Sequence, residues 1–147
     1  MPIRRLIARN FRIHKDFEVA LKDGITVFTG ANGSGKTSIL EAISVLVTSR
    51  SFRLVSSPDL IRKGEGIAYV ALRATQSGLE SDITMEIGEK SRKTLLNGKP
   101  VTRRRDISEI VPFIVFSPGD HRIIDGDATD RRFFLDRAIS NYDFDYA

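Results

Sequence analysis

Apolar and polar positions along the chain follow two rhythms, one of period two and one of period 3.6, and each change of rhythm outlines an element. Phe17, Val19 and Leu21 alternate with Asp16, Glu18 and Ala20, as in a half-buried strand, and a less regular strand precedes them over residues 3–8. Lys22-Asp23-Gly24 reads as a turn. Ile25-Thr26-Val27-Phe28-Thr29 then reads as a β-rich strand running into a glycine-rich loop. From Lys36 onward Ile39, Leu40, Ile43, Leu46 and Val47 recur at helical spacing, which predicts a helix of three or so turns beginning where the loop ends.

Residues 67–74 and the alternating Ile83, Met85 and Ile87 predict two more strands, joined through Thr75-Gln76-Ser77-Gly78. Leu95-Leu96-Asn97-Gly98-Lys99 predicts a hairpin, because Asn-Gly accepts the positive φ angles of a tight turn. The continuously apolar run Pro112-Phe113-Ile114-Val115-Phe116 reads as a buried strand ended by Ser117-Pro118-Gly119. A final helix is expected to start near residues 127–130 and to carry Phe134, Leu135, Ala138 and Ile139 along an apolar stripe. Together these predict an α/β fold with a mixed β-sheet and an antiparallel β portion beside it. No internal repeat or low-complexity segment interrupts it.

Composition narrows the picture only slightly. A chain of 147 residues suits one domain, or one lobe of a larger protein, and 41% hydrophobic with 29% charged residues is ordinary for a globular domain. The net charge of +4 permits a polyanionic partner without demanding one. Zero cysteines excludes disulfides, thiolate nucleophiles and cysteine metal sites. The N-terminus lacks the apolar core of a signal peptide, and no apolar run approaches the ~20 residues that cross a bilayer, so a cytoplasmic location is expected.

The chemistry concentrates in Gly30-Ala31-Asn32-Gly33-Ser34-Gly35-Lys36-Thr37, which has the Walker A spacing of a phosphate-loop NTPase. Successive backbone N–H groups of such a loop curl around phosphates, and glycine is needed where the backbone must take positive φ or approach the anion closely. The following helix adds the positive end of its dipole. Lys36 is expected to reach the β- and γ-phosphates of ATP and Thr37 to ligate Mg²⁺, with Gly30, Ala31, Asn32, Gly33, Ser34, Gly35 and Ser38 completing the nucleotide site. The competing reading is a glycine-rich turn without a ligand; a β-rich segment before the loop and an amphipathic helix after it argue against that.

Further residues carry a family resemblance: Asn10-Phe11-Arg12, the glycine loop, Ile39-Leu40-Glu41-Ala42-Ile43, Arg50-Ser51-Phe52-Arg53, Leu60-Ile61-Arg62, Leu96-Asn97-Gly98-Lys99-Pro100-Val101, Phe116-Ser117-Pro118-Gly119-Asp120 and Asp130-Arg131-Arg132-Phe133-Phe134-Leu135-Asp136-Arg137. Across nearly the whole chain these resemble the RecF family of bacterial recombination-repair proteins, within the RecF and SMC-like branch of the ABC ATPases. The family usually has proline where Ala31 stands and asparagine where Ser38 stands; neither change removes a phosphate or Mg²⁺ ligand.

The resemblance implies an ABC-ATPase head-like lobe, residues 1–147, from a protein more than twice as long whose second lobe carries the signature motif and Walker B. It also implies ATP-dependent binding at gapped or single-stranded DNA, dimerisation over nucleotide, cooperation with RecR and RecO in loading RecA, and roles in DNA replication, DNA damage repair and the SOS response. The family is a weak DNA-dependent ATPase. Without Walker B and signature motifs this chain is expected to bind ATP rather than hydrolyse it.

Other candidates are weaker. Arg12 could contact a phosphate, or equally be a solvated or strand-pairing arginine. Ser117 could sense the γ-phosphate, though a turn serine is the simpler reading. Arg103-Arg104-Arg105 and Arg131-Arg132 could meet DNA phosphates, yet short basic runs are more often solvated or ion-paired. His14 and His121 have no companion ligands at metal spacing and suit ordinary polar roles. Two other functions remain open: a small stand-alone phosphate-loop kinase, for which the strand-rich middle offers no obvious lid, and a truncated, non-functional fragment.

Overall fold

The computed structural model describes residues 3–53, 55–103 and 105–142. The chain divides into two compact units, Met1–Val111 and Pro112–Ala147. The first contains, in chain order, strands β1 (Ile3–Phe11) and β2 (His14–Ala20), helices α1 (Lys36–Thr48) and α2 (Ser57–Leu60), strands β3 (Ile67–Gln76), β4 (Leu79–Gly88), β5 (Arg92–Leu96) and β6 (Lys99–Pro100), and helix α3 (Arg105–Ile110). The second contains a 3₁₀ turn (Pro118–His121), α4 (Arg122–Asp125) and α5 (Ala128–Tyr142).

The strands form one six-stranded sheet in the order β2-β1-β3-β4-β5-β6, antiparallel throughout. Two of its hairpins turn on dipeptides that both sit at positive φ: Ser77-Gly78 (51° and 80°) and Asn97-Gly98 (50° and 77°). The first turn is tighter than the four-residue connection expected, because Gln76 already pairs with Leu79. Asn97 also closes its turn across the sheet: Asp82 N–H donates to its side-chain oxygen and its own N–H donates to the Asp82 carbonyl, both at 2.8 Å.

One face of the sheet builds the core. Leu6 and Ala8 of β1, Ala68, Val70, Leu72 and Ala74 of β3, and Ile83, Met85 and Ile87 of β4 are all buried, and α1 packs over these three strands with Ile39, Ala42, Ile43, Leu46 and Val47. Each fully covered side chain of the larger kinds contributes about 1.5–3 kcal/mol. The helix is wrapped more completely than an apolar stripe alone requires: Ser38, Glu41 and Ser44 are buried too, while Leu40, assigned to the stripe from its spacing, is half-exposed. The opposite face carries cross-strand ion pairs, Arg5–Glu18, Arg9–Asp16 and Arg73–Asp82. Such exposed pairs contribute a few tenths to about 1 kcal/mol each.

Two expected strands are corrected. Residues 25–29 form no strand; Ile25 is 95% and Val27 73% exposed. Residues 112–116 likewise form none, with Ile114 86% and Phe116 88% exposed. A strand's backbone N–H and C=O groups are satisfied only by a neighbouring strand, and among the described residues no ladder reaches either segment. The mixed pairing expected of the sheet goes with them, since the ladder-forming strands are all antiparallel neighbours.

In the second unit α5 begins at Ala128, within the start expected near residues 127–130. Asp127 Oδ1 accepts the N–H groups of Thr129 (2.7 Å) and Asp130 (3.0 Å), which caps the helix. Its expected stripe is only partly covered: Phe134, Leu135 and Ile139 are exposed to between a third and a little over half. No helix among the described residues is long and apolar enough to cross a membrane.

Candidate functional site

The glycine loop of residues 30–35 passes directly into α1. Gly30, Gly33 and Gly35 stand at φ 151°, 83° and 90°, a region that side chains resist. At Gly35 a Cβ would also lie 2.5 Å from His14 Nε2 and 2.8 Å from Ile13 Cδ1, so those side-chain ends would have to shift to admit it. Gly35 is the N-cap residue of α1 and contributes no side-chain hydrogen bond; its carbonyl accepts the first helical bond, from Ile39 N–H at 3.1 Å. The N–H groups of the first turn therefore have no cap from the N-cap side chain, and no acidic residue occupies that turn. An uncapped helix start with its dipole unopposed favours an anion.

Lys36 folds back over the loop it follows. Its Nζ donates to the Gly30 carbonyl at 2.8 Å and to the Ala31 carbonyl at 2.7 Å, bridging to the loop's beginning. Among the described residues no carboxylate pairs with it within ion-pair distance. Ala31, Asn32, Gly33, Ser34 and Thr37 are exposed around this ammonium, while Ser38 is buried on the inner side of α1. The shallow depression of about 200 Å³ between Arg5, Tyr69, Arg73 and Asp82 lies on the outer sheet face and includes none of these residues.

Below the loop sits a buried charge cluster that periodicity does not reveal. Glu41, fully buried, accepts from Arg12 Nε (2.8 Å), Arg12 Nη2 (2.6 Å) and the Ser51 hydroxyl (2.5 Å), with Arg53 Nη1 at 3.9 Å. Arg12 Nη1 donates to the Asp59 carbonyl at 2.7 Å. The carboxylate thus ties α1 to the β1–β2 turn and to the 50–53 loop, and Arg12 carries the link on to α2. Asn10 and Arg12 hold positive φ (49° and 54°) in that turn, which is pinned further by Arg12 N–H to Leu60 O and Arg62 N–H to Asn10 O, both 2.8 Å. Arg12 is thereby largely buried, its guanidinium engaged by Glu41 and the Asp59 carbonyl. The available signal was the spacing of Ser38, Glu41 and Ser44, three polar residues at helical intervals that resemble a solvated face and are in fact covered.

At α2 another carboxylate gathers local donors. Ser56 O–H (2.6 Å) and Ser56 N–H (3.0 Å) both donate to Asp59 Oδ2, and these bonds, with Arg12 nearby, hold the Asp59 pKa below the usual carboxylate range.

The remaining candidates are dispersed. Arg103 is exposed, Arg104 lies outside the described residues, and Arg105 pairs with Glu109 at 2.7 Å one helical turn on. Arg131 donates to the Gly126 carbonyl at 2.9 Å and Arg132 is exposed. Ser117 takes part in a local turn, its N–H (2.5 Å) and hydroxyl (3.0 Å) both donating to Asp120 Oδ2. His121 bonds to the Pro118 carbonyl in the same turn. Among the described residues no cluster of His, Asp and Glu could hold a metal ion by itself. His14 is the histidine that reaches the loop, its Nε2 lying 3.1 Å from Gly35 O.

Residues 5–119 match the AAA domain family. The DNA replication and repair protein RecF of Rhodococcus erythropolis is 34% identical over 142 residues, covering 96% of this chain and 35% of that protein. RecF of Geobacter sulfurreducens is 36% identical over 146 residues, covering 99% and 40%. A solved structure of the recombination mediator protein RecF with ATP, in the RecFOR pathway, superposes with TM-score 0.87 at 28% identity over 99% of this chain and 39% of its own. The SMC head domain from Thermotoga maritima superposes with TM-score 0.61 at 29% identity, covering 95% of this chain and 56% of its own. The chain spans about a third to two fifths of the length of its curated relatives. It belongs to the AAA domain family, as a RecF-like phosphate-loop NTPase lobe of the α/β class.

Proposed function

We propose that this chain is the ATP-binding lobe, residues 1–147, of a RecF-like DNA replication and repair protein. The observation that carries the proposal is the passage from Gly35 into an uncapped, acid-free first turn of α1, with the Lys36 ammonium bridged over the loop. Backbone donors, a helix dipole and one cation converge there, the requirements for holding a polyphosphate. In this reading Gly30, Ala31, Asn32, Gly33, Ser34, Gly35, Lys36, Thr37 and Ser38 hold ATP. Ser38 contributes through its backbone, since its side chain faces inward. The exposed Thr37 hydroxyl suits Mg²⁺, a hard cation that takes oxygen ligands and would neutralise charge on the β- and γ-phosphates.

The relatives extend the reading to the whole protein. RecF proteins bear names for replication and repair, and one RecF structure contains ATP. By that likeness the complete protein acts on gapped or single-stranded DNA, dimerises over nucleotide and works with RecR and RecO to load RecA. The 147-residue chain binds ATP with negligible turnover. Calorimetry with Mg-ATP tests the core of this. Lys36→Ala should lower affinity at least tenfold, since charge-assisted bonds to phosphate are individually strong. Thr37→Ala should weaken binding mainly when Mg²⁺ is present. Undiminished affinity in Lys36→Ala would sink the assignment, and sustained hydrolysis by the chain alone would contradict the expectation of binding without turnover.

A further inference from the structure

The phosphate loop rests on a residue outside it. His14, the first residue of β2, places Nε2 3.1 Å from the Gly35 carbonyl, and its ring packs against Phe17 with centroids 5.2 Å apart. A carbonyl oxygen only accepts, so Nε2 carries the proton and donates. Gly35 O therefore holds two donors, Ile39 N–H along the helix and His14 from the sheet. The ring also fills the volume next to Gly35, where a Cβ would come within 2.5 Å of Nε2 and 2.7 Å of Cε1.

The consequence follows from peptide geometry. The Gly35 carbonyl and the Lys36 N–H belong to one planar unit, and the described chain contains no cis peptide, so the two groups point in opposite directions. Holding the oxygen against His14 aims the Lys36 N–H to the side opposite that contact. That N–H is one of the uncapped donors at the start of α1. Gly35, at φ 90° and without a Cβ, keeps backbone freedom that the Ile39 bond alone restrains from the helix side, and His14 adds a second restraint on the same oxygen.

We propose that His14 is a positioning residue for nucleotide binding: it orients the Gly35–Lys36 peptide so that its N–H is presented to phosphate before the ligand arrives. The proposal rests on the reading of residues 30–38 as the phosphate site. The restraint needs a neutral donor and no charge, so an amide of similar reach can replace the imidazole. A ring without a donor cannot.

The test is calorimetric titration of the 147-residue protein with Mg-ATP in four forms, wild type, His14→Phe, His14→Gln and Lys36→Ala, each with its melting temperature. His14→Phe keeps the ring beside Phe17 and Gly35 and removes the donor; affinity should fall about five- to tenfold, the scale of one hydrogen bond. His14→Gln should return affinity to within about threefold of wild type. The ¹⁵N–¹H resonance of Lys36 in the ligand-free protein should shift in the Phe variant and return toward its wild-type position in the Gln variant. Wild-type affinity in His14→Phe overturns the proposal, as does equal weakening by Phe and Gln with unchanged melting temperatures. If the His14 variants bind normally while Lys36→Ala does not, this inference fails and the phosphate-site reading stands; if Lys36→Ala also binds normally, both fail.

Discussion

Truncating Glu41 to alanine should be among the most damaging single changes in the protein, although Glu41 belongs to neither the loop nor the apolar core. The carboxylate is fully buried and accepts two bonds from Arg12, whose side chain is 16% exposed, and one from Ser51. Removing it leaves the guanidinium beneath the surface with the Asp59 carbonyl as its remaining acceptor at bonding distance. Breaking one side of a buried pair costs about 3–5 kcal/mol, chiefly because a charge is stranded. Against a typical total of about 5–15 kcal/mol this is roughly a fifth or more of the stability of a domain, or roughly 6–20 °C in melting temperature. Glu41→Gln keeps an acceptor and should lose about 1.5–3 kcal/mol, the worth of bonds to a charged group. Removing both charges together, Arg12→Met with Glu41→Leu, should cost clearly less than Glu41→Ala alone, since no ion is stranded. Urea unfolding of the four proteins, followed by circular dichroism, gives each value. A Glu41→Ala loss below about 1 kcal/mol would refute the reasoning, as would a double variant no more stable than Glu41→Ala.

Two further outcomes follow. Asp82 is held below the ordinary carboxylate pKa by two hydrogen bonds from Arg73, and Asp127 by the backbone N–H groups of Asp130 and Thr129. Folded values below unfolded ones mean that the stabilisation is complete above the unfolded carboxylate pKa of about 4 and is lost as pH falls through the folded values. Urea midpoints should therefore be flat near neutrality and fall in acid, and Asp82→Asn should flatten part of that fall; an unchanged acid slope in that variant would count against the pair. For DNA, the exposed Arg103, Arg131 and Arg132 are the candidates, and each neutralised phosphate should add ~0.9 to the slope of log affinity against log salt on a duplex. Charge reversal at a contacting residue should flatten the slope in fluorescence anisotropy, whereas salt-independent binding by the complete protein would exclude these arginines.

The glycine loop, the helix after it and the two Gly-containing hairpins were legible in the residues because each depends on a local requirement. Positive φ at Gly33 and Gly35, or at Asn97 and Gly98, is a demand that a few residue types meet, and helical spacing of Ile39, Ile43, Leu46 and Val47 declares a buried face without reference to its partner. Residues 25–29 and 112–116 have the composition of strands, but a strand exists only where a second backbone supplies its hydrogen bonds, and no local pattern contains that second backbone. The site divides in the same way. Gly30 to Ser38 could be proposed as candidates from their spacing, whereas His14 beneath Gly35 and Arg12 upon Glu41 join positions 21 and 29 residues apart. Their pairing was decided by the antiparallel β1–β2 hairpin, which carries the turn at Asn10–His14 up to the start of α1. A glutamate on a helix is ordinarily a solvated charge, and a histidine ordinarily a surface one. Tertiary packing brought each of them a partner at bonding distance, which made the one a buried anchor between α1, the β1–β2 turn and the 50–53 loop and set the other against the Gly35 carbonyl.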